Sequence, residues 1–319
     1  MKSTIELLKR QFIFSMVLLF IPCMVFAQKF TIPVFPDSQY HVYQKRGVFF
    51  SQLEWIEANV DSLKTPIVLH VGDLVINDNF DQWELASVGM RILDRANIPY
   101  AIAAGNHDSG FPAQYPGDGR APGDQNANLR NTQKFNYFFP VNRFTLQKGR
   151  FEEDKSDNAY YIFEAGGHKW VVIALEHLAR ENAAQWMDET LKNFPDHNAI
   201  ILTHYHLTGQ GEIASSNVGY GDMTPVDIFD KYIKPNKNVL MVLSGHVVYS
   251  ARKEDKGTYG NTIYQILQDY QRDEDDTYIR LLDIDTQNNT ITAKIYSPIT
   301  GITLDDESKF TFTNVQFIR

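Results

Sequence analysis

Residues 98–108 read Ile-Pro-Tyr-Ala-Ile-Ala-Ala-Gly-Asn-His-Asp. A short apolar run, long enough for one buried strand, stops at a glycine and is followed at once by an amide, an imidazole and a carboxylate. The same grammar recurs on both sides. Upstream, the apolar run 30–35 leads into Asp37-Ser38-Gln39, and 67–71 leads into Gly72-Asp73. Downstream, 199–202 leads into Thr203-His204-Tyr205-His206, and 239–243 leads into Gly245-His246. Helix-like patterns fill the intervals at 48–63 and 83–96. Strands alternating with helices at this spacing predict βαβ units and a parallel sheet. Each polar motif then falls just past the C-terminal end of a strand, the edge at which open α/β sheets bind ligands.

Further along, strands are expected at 159–164 and 170–175 and a helix at 179–194. From Thr262 the pattern changes to extended segments near 263–267, 278–284, 290–296 and 310–317 without long helices between them. That ending predicts a mixed, partly antiparallel second sheet. The Gly-, Pro- and Asp-rich stretch 109–123 reads as a long surface loop.

The first 27 residues carry Lys2, Lys9 and Arg10, an apolar run from Phe12 to Phe26, and Ala27 before Gln28. This is the pattern of a secretory signal peptide cut after Ala27. The apolar run is shorter than the roughly 20 residues of a membrane-spanning helix, so no stable membrane insertion is expected after cleavage. Cys23 follows Pro22 rather than a small residue, which argues against lipoprotein processing. Residues 28–319 then form the mature domain, with no linker that would split it. Removing the leader takes away three basic residues and one acidic one, leaving 27 Lys+Arg against 38 Asp+Glu and a net charge of −11. A field of that sign disfavours general nucleic-acid binding, which rests on neutralising phosphates with Lys and Arg. The single cysteine of the chain is Cys23, so a metal in the mature part must be held by oxygen and imidazole.

Taken singly, a Gly-Asp pair marks a turn and a lone histidine is a hydrogen-bonded surface or core residue. Taken together, in this order and each at a strand end, these motifs offer carboxylates, an amide oxygen and imidazoles, the donors a pair of divalent cations wants. The order Asp37, Gly72-Asp73, Gly105-Asn106-His107-Asp108, His204, Gly245-His246 resembles the calcineurin-like metallophosphoesterases, over roughly residues 30–298. The resemblance implies an α/β fold, an α-β-β-α sandwich of two mixed β-sheets with flanking helices. It implies two divalent ions (Mn, Mg, Fe or Zn), with Asp37 on the first, Asp73 bridging both, and Asn106, His204 and His246 completing the second. The implied reaction is hydrolysis of a small phosphorylated substrate, a phosphomonoester or phosphodiester, by metal-activated water. His107 would protonate the leaving group or stabilise phosphoryl charge, and Asp108 would orient its imidazole.

Two positions depart from the family pattern. Gln39 stands where a histidine usually completes Asp-x-His, and Val248 where one completes Gly-His-x-His. Either the first site is rebuilt from oxygen donors, Asp37, Asp73 and the Gln39 carbonyl, as in relatives with Asp-Ser/Thr-Gln and a later Asp-Tyr-Gln, here Asp269-Tyr270-Gln271; or it is empty, and the enzyme works with one metal or is impaired, the alternative function being a non-catalytic or impaired phospho-ligand binder. Of the other histidines, His70 lies inside an apolar strand and is expected buried and hydrogen-bonded, while His41, His168 and His197 default to solvated surface. His177 and His206 each follow a strand end where substrate or supporting contacts collect. Arg130 and Tyr137, after the long loop, have two readings, contact with a phosphate or an aromatic group and a purely structural role. The acidic run 273–276 reads as a solvated turn. Segments 109–133 and 209–222 are expected to form the rim that sets specificity.

Overall fold

The computed structural model describes residues 28–110, 130–217, 223–271 and 277–318. The expected leader 1–27, the middle of the long loop, the end of the 209–222 segment and the acidic run 273–276 lie outside the described residues. Among the described residues, no helix is long and apolar enough to cross a membrane.

The chain runs β1 (Lys29–Phe35), α1 (Gln39–Gln44), α2 (Arg46–Leu63), β2 (Val68–His70), α3 (Phe80–Arg95), β3 (Tyr100–Ile102) and α4 (Gln133–Phe138). It continues through β4 (Gln147–Arg150), β5 (Ala159–Ala165), β6 (His168–Ala174), α5 (Glu181–Asn193), β7 (Asn198–Leu202), α6 (Pro225–Ile228) and β8 (Val239–Ser244). The ending is β9 (Ser250–Lys256), β10 (Thr262–Gln268), β11 (Ile279–Asp285), β12 (Thr290–Tyr296) and β13 (Phe310–Phe312).

Two mixed sheets result. One has the order β13-β12-β11-β1-β2-β3, the other β4-β5-β6-β7-β8-β10-β9. β1, β2 and β3 are parallel in the first, and β6, β7, β8 and β10 in the second. Side chains alternate across a strand with period two, which sorts the core into layers. Trp170 and Val172 join Ile32, Leu69, Ile200 and Leu243 in the cluster between the sheets. Val171 and Ile173 point the other way, into a cluster with Ala183, Met187 and Leu191 of α5. On the opposite side, α3 starts at Asn79, whose side chain accepts from Gln82 N. It buries Trp83, Ala86, Met90 and Leu93, a helical stripe at spacings of three and four. The α-β-β-α expectation is met.

The main differences lie at the edges. β9, Ser-Ala-Arg-Lys-Glu-Asp-Lys, has no apolar run to announce it. It is an edge strand paired only with β10, and its charged side chains guard the open edge. The expected strand 310–317 shortens to β13. Two histidines expected at the surface are buried: His41, 1% exposed in α1, and His197, 8% exposed with Nδ1 2.8 Å from Asp196 Oδ1. His168 is half-buried, its Nδ1 2.6 Å from the Ile318 carbonyl. His70 is as expected, with its ring between Ser38 Oγ at 2.9 Å and Gly72 N at 3.1 Å. Burial pushes its pKa down to about 3, which keeps it neutral.

Candidate metal centre

Asp37, Asp73, Asn106, His204 and His246 meet where the C-terminal ends of the parallel strands in the two sheets face each other. Three backbone positions make the convergence possible. Gly72, Asp73 and His246 have φ of 108°, 53° and 70°. The left-handed region costs a non-glycine residue on the order of 1–3 kcal/mol, and such residues cluster at functional sites. Here the reversal turns Asp73 back against the next strand end, where Oδ1 accepts from His107 N at 2.9 Å. The Asp37 carboxylate accepts from His246 N at 3.0 Å and so ties the two sheets together.

Gly105 is needed for a different reason. A Cβ there would overlap both the carboxylate and the amide nitrogen of Asp73. Gly105→Ala is therefore expected to displace Asp73 and remove metal binding. Elemental analysis of the purified variant checks this, and wild-type metal content would contradict it.

His204 shows what the cluster is built for. Its ring is fully buried and Nδ1 lies 2.9 Å from the Val71 carbonyl. A carbonyl only accepts, so Nδ1 carries a hydrogen and Nε2 faces the cluster. Around Nε2 stand Asn106 Oδ1 at 3.1 Å, His246 Nδ1 at 3.2 Å and Asp73 Oδ2 at 3.3 Å. A single proton on Nε2 satisfies one of these acceptors. A divalent cation bound at about 2.0–2.2 Å to N and O donors satisfies all of them at once, and spaces them at about these separations.

The electrostatics agree. Burial pushes His246 down to about 3, with the neighbouring His204 adding to the effect, so it is a neutral imidazole ready to ligate. Burial alone would lower His204 as well, but the Asp73 carboxylate beside it raises it. Burial works to raise Asp73, yet the imidazoles of His204, His107 and His246 outweigh it and hold Asp73 below the usual carboxylate range. Asp37 is pushed well above that range by burial, then by Asp269 and Asp73. Buried carboxyls raised by one another are groups short of positive charge.

Gln39 sits beside them, 3% exposed. Its Nε2 donates to Asp73 Oδ2 at 3.3 Å and to Gln271 Oε1 at 2.6 Å. Its Oε1 is buried without a hydrogen-bond partner. An orphaned buried acceptor costs about 1–3 kcal/mol, a cost that a cation relieves. The donor set therefore fits divalent metal binding.

One expected role changes. Asp108 is fully buried and its two oxygens accept from Val75 N at 3.3 Å and Gly105 N at 2.9 Å. It clamps two strand-end turns together rather than orienting His107. The carbonyl of Ile76, 2.8 Å from His107 Nδ1, does that. His107 itself is half-buried, as suits a group that meets substrate.

His177 enters the cluster from the end of β6. Its ring centroid is 5.3 Å from that of His204 and 5.2 Å from that of His246, and the three can offer nitrogens within 4.8 Å of one another. Its place after a strand was the only signal in the sequence. His206 is elsewhere, with Nε2 2.7 Å from Gln265 Oε1. Arg130 donates to the carbonyls of His177 and Leu178, at 2.8 and 2.7 Å, and so braces the turn that carries His177. Tyr137 is exposed, with its ring 6.0 Å from that of Phe80. Val248 lines a cavity of about 510 Å³ beside Asp269, with Tyr249, Ser250 and Tyr270.

The family model of the calcineurin-like phosphoesterases matches residues 32–250, which include Asp37, Asp73, Asn106, His204 and His246. The chain belongs to that family. It is 32% identical over 272 residues to YvnB, an uncharacterised protein of Bacillus subtilis (strain 168); the match covers 82% of this chain and 19% of YvnB. Two solved structures share the family's fold. The purple acid phosphatase PPD1 of yellow lupin seeds superposes with a TM-score of 0.55 at 15% identity, over 89% of this chain and 54% of that one. A dimetal phosphatase of Danio rerio gives 0.51 at 13% identity, over 86% and 98%.

Proposed function

We propose that the chain is a metal-dependent phosphoester hydrolase with two cation sites. Asp37, Asp73 and the Gln39 oxygen form the first, and Asp73, Asn106, His204 and His246 the second. The observation that carries this reading is the crowding of Asn106, His246 and Asp73 acceptors around His204 Nε2, at 3.1–3.3 Å in a buried space. Bound divalent cations there supply Lewis-acid stabilisation of phosphoryl oxygens and a water of lowered pKa.

The remaining chemistry belongs to the protein. His107, half-buried with Nδ1 on the Ile76 carbonyl, delivers a proton from Nε2 to the departing alkoxide. Asp108 keeps the turns that carry Asp73 and Asn106 in register. The leader sequence and the acidic mature chain support an exported enzyme acting on a small phosphorylated molecule, monoester or diester, rather than on nucleic acid.

Turnover of an aryl phosphate with added Mn²⁺, set against the same protein in EDTA, tests the proposal. Metal-dependent release of the phenol is expected. Binding of phosphate without turnover in Mn²⁺ would instead make the chain the non-catalytic binder that Gln39 and Val248 suggest.

A further inference from the structure

Gln39 can serve the first site only if its amide is held one way round, because an amide nitrogen has no lone pair to give a cation. The structure contains a device that fixes this. Asp269, 1% exposed, accepts from Gln271 N at 3.0 Å through Oδ1 and from Gln271 Nε2 at 2.8 Å through Oδ2. With its nitrogen committed to a carboxylate, Gln271 must turn Oε1 the other way, and that oxygen lies 2.6 Å from Gln39 Nε2. The second hydrogen of Gln39 Nε2 is directed to Asp73 Oδ2 at 3.3 Å. A flipped Gln39 would set its oxygen against two acceptors. The Gln39 oxygen is thus the atom left over, buried and without a hydrogen-bond partner.

We propose that Gln271, pinned by Asp269, is the positioning residue of the first cation site and orients Gln39 so that its oxygen is the donor. This rests on the two-cation reading above. It also gives the segment after β10 a task that takes over from the histidine missing at Val248: the turn beyond the neighbouring strand braces the first site instead of ligating it.

The test is Mn²⁺ binding by equilibrium dialysis and by the spin-coupled electron paramagnetic resonance signal of a Mn²⁺ pair. Wild type is compared with Q271A and with the double variant D269N/Q271E. Wild type should bind a tight and a weaker Mn²⁺ and show the coupled signal. Q271A should keep the tight ion and bind the weaker one about 10–100-fold less well, the usual loss when a group that orients a ligand is removed. The double variant should recover both the affinity and the signal. Its new amide at position 269 can donate to the new carboxylate at position 271, which can still accept from Gln39. If Q271A fails to fold, recovery in the double variant decides alone. Two ions in wild type with an unaltered weak site in Q271A would overturn the role of Gln271 only. Failure of the folded double variant to recover would do the same. A single Mn²⁺ in wild type would overturn the two-cation reading and this inference with it.

Discussion

Asp73→Asn is expected to lower phosphoester turnover by at least about 10²–10³-fold, the scale on which one electrostatic stabiliser is lost, and to lower bound metal in parallel. Asp73 is the one carboxylate shared by both proposed sites. Its Oδ2 faces His204 Nε2 at 3.3 Å, and its Oδ1 is held by His107 N at 2.9 Å. An amide keeps the shape but removes the charge, and its NH₂ would point donors at a space lined with acceptors. The His204, His107 and His246 imidazoles, which together favour the ionised form of Asp73, would then lose that anion. Paired kinetics and elemental analysis on one preparation check this. Near-normal turnover would remove Asp73 from the metal assignment.

His107→Ala should behave differently. Turnover is expected to fall by roughly 10²–10⁴-fold, the range for loss of a general acid or base, while bound metal is unchanged. The reason is geometric. The ring is anchored through Nδ1 to the Ile76 carbonyl, and it is half-buried whereas Asp37, Asp73, Asn106 and His204 are buried. The backbone N–H of residue 107, which supports Asp73, survives the substitution. Loss of metal together with activity would show that the imidazole holds the site together rather than serving the chemistry.

Much of this was legible in the sequence, because strand periodicity and the glycines at strand ends are local signals. They placed Asp37, Asp73, Asn106, His204 and His246 at one edge, and the structure brings them together. What escaped depends on contacts between distant segments. Nothing near Asp108 says that its carboxylate will fold back onto the amides of Val75 and Gly105. Nothing near Gln39 points to Gln271, 232 positions away. His41 and His197 carry no apolar periodicity of their own, and their burial follows from how α1 and the turn before β7 pack. The left-handed turns at Asp73 and His246, by contrast, cost on the order of 1–3 kcal/mol each and have a visible cause, since they aim both side chains at the site.

The central claim, a two-cation centre with unequal sites, is tested most directly by metal analysis after exhaustive dialysis, followed by add-back. The second proposed site would offer two imidazoles, an amide and the shared carboxylate; the first would offer two carboxylates and one neutral oxygen. About one ion per chain should survive dialysis, and aryl phosphatase activity should rise as Mn²⁺ or Mg²⁺ is restored. One ion with full activity and no response to added metal would contradict the account and require a mononuclear mechanism.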